Sequence, residues 1–239
     1  MAYDYSLLNV AVEGRIAWVT VNNPPINLIT LALYAELAAL AVELEADPAL
    51  TVVVLKSADP DFFLAHFDVG AILSFPTDTE PQRDPELNAY HAMCERFRTM
   101  DKVTIAQIEG RVGGGGSELA MSCDMRFGVR GKTIINQMEV PIGILPGGTG
   151  TQRLPRLIGR GRAMEVIVGA EDLDAATAER WGYLNRIFDA RDIGPFVAAL
   201  ARRIATFPAE AVRLAKESVN NAEKPLSEGL PEEAYLFQK

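Results

Sequence analysis

Hydrophobic and polar positions alternate twice near the start of the chain, over Leu7–Val12 and Arg15–Val21, with Glu13-Gly14 at the joint. A period of two predicts half-buried strands, and the short glycine-containing joint predicts a hairpin. Asn22-Asn23-Pro24-Pro25 ends the second run. From Thr30, which can cap a helix, to about Ala46 the period changes, and Leu33, Leu37, Leu40, Val42 and Leu44 supply an apolar helical face. Asp47-Pro48 stops it. Thr51–Leu55 is a continuous apolar run, the pattern of a strand covered on both faces.

Beyond it, Ser57–Phe63 reads as a loop, followed by a short helix from about Asp68, which can serve as its N-cap. The polar, proline-containing stretch 76–85 predicts a mobile surface loop, 86–100 a helix and 103–108 a strand. A glycine run, Gly113-Gly114-Gly115-Gly116, then leads into a helix over Glu118–Met121. Cys123–Val129 and Thr133–Asn136 read as short strands. After Gly147 the pattern turns helical, at roughly 148–157, 159–169, 174–181, 193–206, 208–221 and 226–237. Strand–helix alternation followed by helices predicts an α/β core with a helical C-terminal region. No internal sequence repeat is visible.

The 239 residues are enough to bury a substantial core, and 49% hydrophobic with 23% charged residues is an ordinary globular composition. A net charge of −9 argues against a general nucleic-acid binder. Arg153, Arg156, Arg160 and Arg162 form a local basic cluster, read as a solvated or interface-lining helix face. Cys94 and Cys123 have no metal-ligand spacing and are expected as reduced, partly buried thiols. No basic n-region with an apolar h-region opens the chain and no stretch approaches 18 apolar residues, so a cytoplasmic, soluble protein is expected.

The glycine run carries the candidate chemistry. No Lys-Ser/Thr follows it as in a phosphate-binding loop, and the dinucleotide fingerprint is not met. Glycines at a helix start let a ligand approach bare N–H groups where the dipole favours negative charge. An oxyanion site and a structural tight turn both fit. Glu118 follows in apolar company, Leu119-Ala120-Met121, as does Glu139 before Val140-Pro141-Ile142. Two carboxylates in one dry pocket cannot both ionise freely, which makes an acid/base pair. His66 could act as a base, though a lone histidine more often packs. His91 reads as structural or exposed. No metal, flavin or nicotinamide site is indicated.

Taken in order, these blocks resemble the crotonase superfamily, the enoyl-CoA hydratase/isomerase group. The matching blocks are Val52-Val53-Val54-Leu55, Phe63–Asp68, Gly114–Ala120 with Cys123-Asp124, then Glu139, Gly143 and Pro146-Gly147. Gly150–Arg156, Arg162–Glu165 and Gly182–Asn185 complete the set, and the resemblance runs from about residue 7 to 220. It implies a crotonase-like ββα spiral over 1–190 and a short helical region over 191–239 for trimerisation or as a lid. It also implies a homotrimer or dimer of trimers acting on an acyl-CoA thioester, with no cofactor besides the CoA of the substrate, no nucleic acid and no membrane.

By position, the backbone N–H groups of Phe67 and Gly115 would polarise the thioester carbonyl. Glu118 and Glu139 match the two glutamates of family hydratases, Glu118 activating water and Glu139 supplying the α-carbon proton. Gly147 matches a glycine that helps position the water, and Ala65, His66, Asp68 and Gly114 would line the substrate. Family isomerases usually keep one of the two glutamates, which favours hydration. Isomerisation or another enolate reaction recruiting His66, or an acyl-CoA-binding protein, are the alternatives. Three residues depart from the family pattern. His66 replaces a glycine where a positive φ is expected, Phe67 replaces a small residue, and Met138 replaces a proline. The chain also ends short of the usual family C-terminus, a tail that often covers the CoA site. Phe62, Phe63, Ile72 and Phe75 fall near the expected acyl pocket, with core packing the plainer reading.

Overall fold

Two parallel sheets, fed alternately by successive strands, organise the chain. The computed structural model describes residues 3–76, 78, 80 and 82–239. The expected 76–85 loop falls partly outside the described residues. The first hairpin, β1 (Leu8–Glu13) and β2 (Ile16–Val21), pairs antiparallel as its alternation predicts. β2 continues in parallel to β3 (Val52–Ser57), β5 (Val103–Ile108), β7 (Met125–Val129) and β10 (Arg186–Phe188). The second sheet is built from β4 (Phe62–Leu64), β6 (Arg111–Gly113), β8 (Ile134–Asn136) and the antiparallel β9 (Leu173–Asp174). Thus β3–β4, β5–β6 and β7–β8 each place one strand in each sheet before a helix follows, a ββα spiral.

Helix α1 (Leu31–Ala46) starts at Thr30, whose hydroxyl accepts the Leu33 N–H at 3.2 Å, and buries Leu33, Leu37, Leu40 and Leu44. α2 (Val69–Leu73) follows β4, and α3 (Ala89–Thr99) is capped by Asn88, three residues later than the sequence pattern indicates. α4 (Gly114–Ser122) follows β6, α5 (Gly150–Ile158) and α6 (Arg160–Gly169) follow β8, and α7 (Ala175–Trp181) follows β9. The C-terminal helices are α8 (Ala190–Ala205), α9 (Ala209–Asn220) and α10 (Leu226–Leu236).

The apolar run at β3 is covered on both faces, as expected. Val53 and Leu55 join the larger core with α1 and Phe97, while Val52 and Val54 pack in a second cluster with Ile193, Val197 and Ala201 of α8. Alternate side chains of one strand thus serve two cores. β4 corrects the loop expected at 57–63: Phe63 is fully buried in the larger core and contributes no pocket wall, while Phe75 is exposed. Among the described residues no helix is long and apolar enough to cross a membrane.

Candidate active site

The ends of three neighbouring strands deliver the site. β4 runs into Ala65, His66 and Phe67, β6 into Gly114 and Gly115, and β8 into Gln137 and Glu139. Phe67 is held by a parallel bridge to Ile29, in which the Ile29 N–H donates to the His66 carbonyl (2.9 Å) and the Asp68 N–H to the Ile29 carbonyl (3.0 Å). In such a bridge the central residue turns its own N–H and C=O to the opposite side. Among the described residues the Phe67 N–H has no acceptor, nor has the N–H of Gly115 in the first turn of α4. A Cβ added at Gly115 would stand 3.3 Å from the Phe67 Cβ, so the two residues are neighbours. Unpaired N–H groups of this kind, one of them at a helix start, are available to an acceptor from outside the chain.

The helix begins inside the glycine run rather than after it. Glycine disfavours a helix interior, yet this start is fixed by packing. A Cβ at Gly116 would lie 2.6 Å from the Leu64 Cβ and closer still to the Leu64 carbonyl, so only glycine lets α4 lie this near β4.

Glu118, one turn into α4, is buried, and its Oε1 accepts the N–H groups of Gly148 (2.8 Å) and Gly150 (2.7 Å). Burial raises its pKa, and those two donors oppose the rise by favouring the charged form. Glu139 is also buried, and its Oε2 has no protein partner. Burial first, and the charge of Glu118 second, push its pKa up to about 7. A Cβ at Gly114 would lie 3.2 Å from both Glu139 Oε1 and His66 Cβ, so these three residues meet at one point. These neighbouring residues thus supply a carboxyl group that accepts two backbone N–H groups, a second whose pKa is pushed up to about 7, and two backbone N–H groups without an acceptor among the described residues.

The other expected site residues are distributed as follows. Asp68 caps α2, accepting the Gly70 N–H at 2.8 Å. Ala65 and His66, with Gly113, Asn136 and Met138, border a cavity of about 260 Å³. His66 does not take a positive φ. The carbonyl of Gly147 accepts from His91 Nε2 at 2.7 Å, and the N–H groups reaching Glu118 belong to Gly148 and Gly150 instead. The bulk of Phe67 goes into an aromatic cluster, with ring centroids 5.8 Å from Tyr90 and 6.1 Å from Tyr34. Arg153 is not a solvated surface arginine, since it is mostly buried and paired with Glu95.

Two residues at the site escaped the sequence reading. The Tyr90 hydroxyl donates to the Gly115 carbonyl at 2.7 Å. Its spacing with Met93, Cys94 and Phe97 on the buried face of α3 was an available signal. Gln137 is fully buried with neither amide atom partnered, and its Nε2 and Glu118 Oε1 would both lie 3.0 Å from a Cβ at Gly150. Only its position two residues before Glu139 pointed there.

A family model described as enoyl-CoA hydratase/isomerase matches residues 11–239. A probable enoyl-CoA hydratase of Mycobacterium bovis is 34% identical over 237 residues, covering 98% of this chain and 89% of the relative. The crystal structure of an enoyl-CoA hydratase from Bacillus anthracis superposes with a TM-score of 0.88 at 26% identity, covering 98% of this chain and 90% of that one. A Thermobifida fusca protein solved in complex with CoA gives a TM-score of 0.85 at 27% identity, with 97% and 91% covered.

Proposed function

The chain belongs to the enoyl-CoA hydratase/isomerase family, and on that footing we propose that it adds water across the 2,3 double bond of an enoyl-CoA thioester. The observation that carries this reading is the pair of buried, inequivalent carboxyl groups beside two unpartnered N–H donors. The thioester oxygen accepts from the Phe67 and Gly115 N–H groups, which draws electron density from Cβ. Water adds to Cβ as Glu118 takes its proton. The enolate charge builds on the cradled oxygen, where one such donor is worth about 3 kcal/mol of barrier. Glu139 passes its proton to Cα, giving the 3-hydroxyacyl-CoA, and a proton returned from Glu118 to Glu139 through solvent closes the cycle. The CoA ester runs past Ala65, His66 and Asp68 and over Gly114 and Gly147. The CoA bound to the Thermobifida relative supports a CoA ester as ligand.

Glu118→Gln tests the reading. Turnover of a short 2-enoyl-CoA, followed by loss of its conjugated absorbance, should fall by about 100-fold or more, while calorimetric binding of the ester persists. Full activity would overturn the assignment. A second reading, double-bond isomerisation, draws on the unpartnered Oε2 of Glu139, since one carboxyl can take a proton from one carbon and return it to another. A 3-enoyl-CoA substrate separates the two, because isomerisation leaves product mass unchanged and hydration adds water. Assembly as a homotrimer or dimer of trimers through residues 191–239 belongs to the same proposal. Leu226, Leu230 and Phe237 expose apolar surface there, and sedimentation measures the outcome.

A further inference from the structure

His66 touches both halves of the site and has no part in the steps above. Its Nδ1 lies 2.7 Å from the carbonyl oxygen of Phe67. A carbonyl only accepts, so Nδ1 must carry the proton, and in the neutral ring Nε2 is left as an acceptor. The loop closed by this bond passes through the Cα–C bond of His66 and the N–Cα and Cα–C bonds of Phe67. Those bonds flank the peptide plane that carries the Phe67 N–H. The backbone bridge to Ile29 holds the opposite edge of the same segment. Between the two, the pull of the Phe67 ring into the Tyr34–Tyr90 cluster cannot swing the peptide.

We propose that His66 is a positioning residue for the oxyanion donor. Its Nδ1–H bond fixes the plane that aims the Phe67 N–H at the thioester oxygen, and it keeps the Phe67 carbonyl turned away from the negative charge that builds there. What the N–H binds rests on the hydration reading; the bond itself does not. The chain has two histidines, and their contacts require opposite tautomers. His66 donates from Nδ1, whereas His91 donates from Nε2 to the Gly147 carbonyl.

The test has two arms. Ring ¹⁵N–¹H correlation spectra of the full chain at mildly alkaline pH, assigned with a His91→Gln variant, should show His66 protonated on Nδ1. An Nε2-protonated His66 overturns the proposal whatever the activity. In kinetics, His66→Asn places a donor where Nδ1 was and should keep kcat within about threefold, whereas the similarly bulky His66→Leu should lose about tenfold. His66 also borders the path proposed for the CoA ester, so affinity is read separately by calorimetry and kcat is compared at saturating ester. If His66→Leu is fully active, or both variants lose equally, His66 only fills space and the proposal falls. A wild-type protein inactive on every enoyl-CoA would sink the hydration reading, and the tautomer would still decide the bond.

Discussion

Glu139→Gln couples stability and catalysis in a way that can be worked out from the site. The native carboxyl holds its proton up to about 7 against an ordinary 4.5. At about 1.4 kcal/mol per tenfold this is about 3 kcal/mol, and discounting for partial solvent screening leaves on the order of 2 kcal/mol. The native state binds this proton more tightly than the unfolded chain does. The wild-type protein is therefore most stable below the unfolded value, loses stability as pH rises through it, and levels off above about pH 7. Glutamine has no such slope. Carboxylates held down by partners, such as Asp172 by Arg111, titrate in both proteins and cancel in the comparison. Relative to wild type, the variant should gain about 2 kcal/mol between about pH 4 and pH 8, or about 4–8 °C in Tm. Its kcat should fall by about 100-fold or more, and wild-type kcat/KM should decline above about pH 7 as the proton donor is lost. Melts followed by circular dichroism across pH, alongside turnover, measure both effects. Stability curves that run parallel for the two proteins would refute the reasoning.

Two further substitutions probe the supports of the pocket. A Cβ in Gly148→Ala would stand 2.7 Å from the Tyr90 ring and against Glu118 Oε2, so Glu118 must move; kcat should drop by at least about tenfold in a folded protein, and unchanged kcat would contradict the packing. Tyr90→Phe removes one buried hydrogen bond to the Gly115 carbonyl, which keeps its partner within α4, and should cost about 0.5–1.5 kcal/mol in chemical denaturation, a loss absent if that bond is unimportant.

Much of this was legible in the residues themselves. The β1–β2 hairpin, the two-sided strand β3 and helix α1 follow from hydrophobic period alone, because each is long enough to repeat its pattern. β4, β6 and β8 are three residues each, too short for any period, and β4 was hidden in an expected loop. The start of α4 ran against propensity, since its first three residues are glycines, of which Gly116 is required by the close approach of Leu64. Glu118 and Glu139 stood out as acids in apolar company. That the two would be unequal was expected, but the groups that hold Glu118 were not visible, because Gly148 and Gly150 are indistinguishable from Gly147 in a glycine-rich string.

The two-sheet spiral has a geometric consequence for the reacting oxygen. Parallel strands sit about 4.8 Å apart, and the two proposed donors follow adjoining strands, Phe67 after β4 and Gly115 after β6. On the proposed reading, the anion seat would be built from main chain carried by paired strands, while the side chains around it stay free to diverge.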